Sequence, residues 1–402
     1  MDIEEGCVMT FEVVAPESVG LSSQRLDRIQ HVMSGYIDNR CFRGLTTMIW
    51  RNGSVAHLGK FGQKDDHSAI EFDTIFRIYS MTKPITSVAI MMLYEEGHFQ
   101  LSDPVSKFIP DFSNMKVITD LAGGSYETVP AKGEMTIHDL LRHTSGLTYD
   151  FNGNVVSEMY KEADLYNSES LLEMAQKLAS FPLVHHPGKI WHYSFSTDVL
   201  GCLVELIAGQ PFDQFLQRRI FSPLGMHDTS FDVDKEKIDR YASLYRATEE
   251  GKYEKASDSI IARLDASGQK RTICSGGGGL LSTTADYLRF CQMMLNGGCL
   301  ENKQLLSRTT VELMTCNHLV TDQYPFGMRG VGFGLGFSVV TNLAESAISG
   351  SEGLFRWGGA ASTTFWIDPK EKLIAILMTQ LLNNPHPLLS QFRVLTYQSI
   401  VD

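Results

Sequence analysis

The sequence predicts an α+β protein: one antiparallel sheet flanked by helices, completed by both ends of the chain around an inserted, mainly helical domain. Three observations point there. Strand-like segments occupy residues 46–58 and recur from residue 333 onward. Between them, over about 93–230, the chain reads mainly as helix with long polar connections. Finally, 402 residues at 43% hydrophobic content are enough for a large core in two subdomains. The expected division is an α/β domain over 1–92 and 231–402, with the helical domain over 93–230.

A first helix is expected over about 22–38, capped by Ser22 or Ser23, with Leu26, Ile29, Val32 and Met33 behind the cap. Thr46–Trp50 and Val55–Leu58 flank Asn52-Gly53, the strongest short hairpin signal. Ile85, Val88, Ala89, Met92 and Leu93 form an apolar stripe at helical spacing. Thr136–His143 reads as a helix with Thr136 and Asp139 set as a capping box and Gly146 beyond its end. Asp198–Ala208 reads as another, with Leu200, Val204 and Ile207 on one face. Strands are expected at Phe333–Val340, Leu354–Trp357, Ser362–Ile367 and Leu373–Thr379, with the last turn at Asp368–Glu371. A terminal helix over Pro387–Ile400 would cover the sheet.

Charge narrows the function classes. Lys and Arg total 35 against 47 Asp and Glu, a net charge of −12 without a basic cluster, which argues against nucleic acid and anionic membranes. Met1–Glu5 is acidic where a signal peptide would be basic, and no apolar run approaches the roughly 18 residues of a membrane span. The seven cysteines lack any C-x-x-C and read as reduced thiols. A cytoplasmic location is the expectation.

The chemistry centres on Tyr79-Ser80-Met81-Thr82-Lys83-Pro84. A serine hydroxyl needs a neighbour to remove its proton, and residues three apart on a helix share a face, so Lys83 can reach Ser80. Pro84 fits only a first helical turn, which places Ser80 where free N–H groups and the helix dipole favour an oxyanion. The pattern alone is weak, with about one or two chance matches expected in a chain this long. Ser113/Lys116 and Ser267/Lys270 also match, but neither precedes an apolar helix. Tyr193, in Trp191-His192-Tyr193-Ser194-Phe195-Ser196, is the candidate proton carrier, since an adjacent ammonium favours phenolate. Taken alone it also reads as a core tyrosine. Arg356-Trp357-Gly358-Gly359-Ala360 offers a strand whose glycines allow close backbone approach, with a second oxyanion N–H on Ala360 or Gly359. Taken alone, it reads more readily as a kinked structural strand.

Together, the order and spacing of these elements resemble the serine β-lactamase and penicillin-binding superfamily, above all class C β-lactamases and the family VIII carboxylesterases. The similar stretches are Ile75–Lys83, Leu140–Leu147, Pro187–Ser194, Gly277–Asp286 and Trp357-Gly358-Gly359. The resemblance implies a β-lactamase-like fold with the site between its domains. It further implies Ser80 as nucleophile, Lys83 and Tyr193 as the base pair, and the Ser80 and Ala360 N–H groups as oxyanion hole.

Two departures bear on the substrate. A β-lactamase-like third motif would begin with a lysine to pair a carboxylate, and here that position is Trp357. The Y-A-N or Y-S-N motif would end in an amide, and here it ends in Phe195. Phe195, Trp357, Gly358 and Gly359 are therefore expected to form an apolar substrate wall suited to small, uncharged, short-acyl esters, with weak β-lactam hydrolysis alongside. A β-lactamase or D-alanyl peptidase, an acyltransferase using the same acyl-enzyme, and a non-catalytic ligand sensor are the alternatives. No cofactor or metal is expected: there is no H-E-x-x-H, and Gly276–Gly279 lacks the P-loop lysine. The expected partner is a small-molecule ester.

Overall fold

The computed structural model describes residues 12–119, 126–256, 273–320 and 322–402. Its main sheet has seven strands: β1 (Gly44–Arg51), β2 (Ser54–Gly62), β3 (Val331–Phe333), β4 (Ser338–Val340), β5 (Phe355–Gly358), β6 (Thr364–Asp368) and β7 (Leu373–Thr379). They run in the order β3-β4-β5-β6-β7-β1-β2, each antiparallel to its neighbours. Segments from the two ends of the chain meet at β1 and β7, in register from Leu45 opposite Thr379 to Arg51 opposite Leu373. The expected α+β architecture, an antiparallel sheet completed by both ends of the chain, is thus observed.

Both central strands are buried along their whole length, which is why they read as continuous rather than alternating apolar runs. Successive side chains point to opposite faces. Leu45, Ile49, Ala375 and Leu377 pack with Leu26, Ile29 and Met33 of α1 (Ser23–Asp38) and with Leu388 and Phe392 of the C-terminal helix (Leu388–Tyr397). Met48, Ile374, Ile376 and Met378 join the larger core, which contains Ile85, Val88 and Met92 of α2 (Thr82–Glu95). Met91, Met293 and Met294 are buried there too. Ser22 caps α1 by accepting from the Arg25 N–H, and the β1–β2 turn carries Asn52 and Gly53 at φ 48° and 98°, the left-handed pair a two-residue hairpin requires.

In the middle of the chain, α3 (Ile137–Leu141) forms with the Thr136/Asp139 capping box complete in both directions. It stops short of the expected His143, which sits at φ 56°. Further on, α4 (Ser196–Ala208) begins two residues before the expected start. A small hairpin, Lys116–Thr119 with Glu127–Pro130, was not anticipated. The expected single strand Phe333–Val340 is instead the β3–β4 hairpin. Gly334 donates to the Phe337 carbonyl and Gly336 takes φ 98°, so the chain reverses inside that run.

Candidate active site

Ser80 lies in a 3₁₀ turn, Tyr79–Met81, that feeds directly into α2. Tyr79 sits at φ 45°, an uncommon conformation for a non-glycine residue. Pro84 is the third residue of the helix, where no N–H is needed. Ser80 is half-buried, whereas Lys83, one turn on, is only 2% exposed.

Lys83 Nζ lies 3.3 Å from Ser80 Oγ and donates to the Gly277 carbonyl at 2.6 Å. The Tyr193 hydroxyl lies 2.7 Å from Ser80 Oγ. Lys83 Nζ also sits 4.6 Å from the Tyr193 ring centre and 5.2 Å from that of Tyr149, contacts that favour a cation. A lysine one turn away and a tyrosine 113 residues away therefore converge on the Ser80 oxygen. The loop carrying Tyr193 is pinned on both sides: Asn152 Nδ2 donates to the Tyr193 carbonyl at 2.9 Å, and the His192 N–H donates to the His143 carbonyl at 2.8 Å. His143 itself is buried 5.0 Å from the Tyr193 ring. Burial first, then Lys83 and His192, hold its imidazole well below the usual range, so it is neutral beside the ammonium.

The end of β5 reaches the nucleophile turn. A side chain on Gly359 would meet the Ile78 carbonyl at 2.5 Å and Thr363 Oγ1 at 2.2 Å, so only glycine lets the strand come this close. Of the two expected oxyanion donors, the Gly359 N–H is already given to the Thr363 carbonyl at 2.9 Å. The Ala360 N–H has no acceptor among the described residues. Gly358 is engaged in the sheet opposite Thr364.

Trp357 packs 5.6 Å from the Tyr193 ring and 5.2 Å from Phe333. Phe326, 61% exposed, lies over Trp191, Tyr193 and Trp357 at centroid distances of 4.9, 5.6 and 6.1 Å. The wall beside Tyr193 is thus aromatic. Phe195 is a correction: it is fully buried against Tyr149, Tyr160 and Tyr166, so it backs the wall instead of facing a substrate. It follows Ser194 into the start of α4, whose first turn points into the core. Sequence reasoning missed Asn152, Tyr149 and Phe326. Tyr149-x-Phe151 next to the Leu140–Leu147 stretch was the available signal for two aromatic neighbours, since their rings stack at 4.7 Å.

The rival features are placed elsewhere. Ser113 and Lys116 are both exposed, and Lys116 opens a strand; Ser267/Lys270 and Cys7 lie outside the described residues. His138 and His318 approach to 3.0 Å, and His185 packs on His192, but no group of three ligands suited to a metal occurs among the described residues. Gly276–Gly279 is a tight connection into a short strand, Leu281–Ser282, ahead of the helix Thr284–Leu295. Among the described residues no single helix is long and apolar enough to cross a membrane.

A phenol ionised beside a buried ammonium could take the proton of the serine hydroxyl it touches, with the ammonium stabilising the charge that follows. Comparison with known proteins agrees with such chemistry. The Beta-lactamase family model matches residues 29–397. The chain is 36% identical over 371 residues to Protein Rv1367c of Mycobacterium tuberculosis, covering 88% of this chain and 90% of that one. It is 29% identical to Esterase EstB of Burkholderia gladioli, over 92% of this chain and 94% of the esterase. The solved structure of EstCE1, described as a hydrolase with promiscuous acyltransferase activity, superposes with a TM-score of 0.81 at 26% identity, covering 93% and 99% of the two chains. This protein belongs to the beta-lactamase family and is a β-lactamase-like serine hydrolase.

Proposed function

We propose that the protein is a serine carboxylesterase that hydrolyses small, uncharged esters through an acyl-enzyme on Ser80. One observation carries the reading: the Tyr193 hydroxyl and Lys83 Nζ flank Ser80 Oγ at 2.7 and 3.3 Å. Ser80 Oγ attacks the ester carbonyl while Tyr193, held anionic by the Lys83 ammonium, accepts its proton, and Lys83 stabilises the negative charge passing between the two oxygens. The carbonyl oxygen becomes an oxyanion between the Ser80 and Ala360 N–H groups; each such donor contributes about 3 kcal/mol in comparable sites. Tyr193 then protonates the departing alcohol. Water takes the alcohol's place and gives a proton to Tyr193 as it attacks, and Tyr193 returns that proton to Ser80 Oγ as the acid leaves. The wall of Trp357, Phe326 and Trp191 supports an uncharged substrate, because an anion there would lose hydration without gaining a cation.

Acyl transfer to an alcohol is the second reading, favoured by the description of EstCE1. It differs only in the nucleophile that resolves the acyl-enzyme. The test is steady-state hydrolysis of p-nitrophenyl butyrate and nitrocefin by the wild type and Ser80→Ala, with and without an added acceptor alcohol. Ester turnover lost in Ser80→Ala, with little nitrocefin hydrolysis, supports the esterase. Turnover that survives the substitution overturns it. A new ester formed in place of acid establishes transfer, and dominant nitrocefin hydrolysis would establish a β-lactamase.

A further inference from the structure

Lys83 poses a problem that its hydrogen bonds do not resolve. A fully buried ammonium is costly unless a negative charge answers it, yet its bonds go to a neutral hydroxyl and a neutral carbonyl. Class C-like motifs would place a polar amide at position 195, and here that position holds the buried Phe195. The nearest candidate for the missing polar group is one turn further on.

Asp198 lies in the first turn of α4 and is 2% exposed. Its Oδ1 accepts from Ser275 Oγ at 2.5 Å and from the Gly277 N–H at 3.1 Å. Gly277 is the residue whose carbonyl receives Lys83 at 2.6 Å. The other oxygen, Oδ2, is buried without a hydrogen bond among the described residues. It occupies the space a side chain at 277 would need, 2.3 Å from that Cβ position, with the Tyr149 hydroxyl 2.9 Å from the same point. Burial raises the Asp198 carboxyl, while Lys83 and the bonds from Ser275 and Gly277 oppose that rise.

We propose that Asp198 is the positioning residue for Lys83: it clamps the Ser275–Gly277 turn that holds the ammonium and supplies the buried negative charge that keeps it there. The proposal rests on the Ser80 hydrolase reading and adds to it a residue that never touches substrate.

Asp198→Asn separates charge from shape. The amide oxygen can still accept from Ser275 and Gly277, while Nδ2 replaces the unpartnered oxygen near Tyr149. The expected result is a kcat for p-nitrophenyl butyrate lowered about ten- to a hundredfold, the range for losing a charged hydrogen-bonding partner, with KM and melting temperature little changed. A residue that merely held the fold together would instead lower the melting temperature and leave the folded enzyme's kcat intact. Ser275→Ala keeps the charge and drops one clamp bond, and should cost less than tenfold. The rate at which a fluorophosphonate labels Ser80 should fall in parallel with kcat. Folded Asp198→Asn with wild-type kcat and labelling rate would overturn the proposal. Should Asp198→Asn not fold, Ser275→Ala labelling Ser80 at the wild-type rate would overturn it. If the wild type turns over no ester at all, the esterase reading fails, but the ratio of labelling rates still decides the role of Asp198.

Discussion

Replacing Tyr193 by Phe removes one oxygen and little else. The ring is held by Trp191, Phe326, Trp357, Tyr149 and His143, contacts that a phenylalanine keeps. The hydroxyl's bond to Ser80 Oγ at 2.7 Å disappears, leaving Ser80 with Lys83 at 3.3 Å. A neutral hydrogen bond contributes about 1 kcal/mol to stability, so the fold should survive almost unchanged. The kinetic loss should be far larger, because the same oxygen is asked to move a proton in both half-reactions. A positioned base contributes about 10²–10⁴-fold, which at 1.36 kcal/mol per decade is roughly 3–5 kcal/mol of transition-state stabilisation. Stopped-flow hydrolysis of p-nitrophenyl butyrate separates acylation from deacylation, and both rates should fall; circular dichroism should report an unaltered melt. A folded Tyr193→Phe enzyme within about threefold of wild-type kcat would refute the assignment, since an effect that small is less than one kcal/mol.

Three further outcomes are expected. Trp357→Lys should raise the ratio of kcat/KM for carboxylate-bearing β-lactams to that for neutral esters about tenfold, and an unmoved ratio would mean that Trp357 does not exclude anions. Gly359→Ala should lower kcat by more than tenfold, because its Cβ would meet the Ile78 carbonyl at 2.5 Å and push β5, with the Ala360 N–H, away from Ser80; unchanged kinetics would show that the donor lies elsewhere. His143 is neutral in the fold, with its proton affinity depressed well below that of the unfolded side chain near pH 6.5. Its contribution to stability is therefore complete above that pH and is lost as the pH falls, with a slope of up to about 1.4 kcal/mol per unit. Urea melts of His143→Phe should show a shallower loss between pH 6.5 and 5 than the wild type, and identical slopes would contradict the burial argument.

What could be read from the sequence depended on the range of the interaction. Ser22, Thr136 with Asp139, and Asn52-Gly53 act within a few residues, and each formed the expected cap or turn. The central strands β1 and β7 were legible because burial on both faces demands unbroken apolar runs. Phe333–Val340 misled because its composition is strand-like throughout, while a conformational break at Gly334–Gly336 divides it. Phe195 misled differently: an aromatic in a motif position was read as facing the cleft, but which way it points is decided by Tyr149, Tyr160 and Tyr166. Phe326 on Trp191 and Tyr193, and Asp198 on Gly277, are contacts between residues more than 75 positions apart, and no local pattern announces such pairs.

The register of β1 against β7 has a consequence for biosynthesis. As the chain leaves the ribosome, β1 and β2 can pair at once, but the other edge of β1 stays open until β7 arrives. The same delay governs the chemistry. Ser80 and Lys83 emerge early, Tyr193 midway, and the Ala360 N–H only after nearly the whole chain has been made. On the proposed mechanism, a nascent or truncated chain carries Ser80 without its second oxyanion donor. The Ala360 N–H can reach the nucleophile turn only once the late strands have docked beside β1.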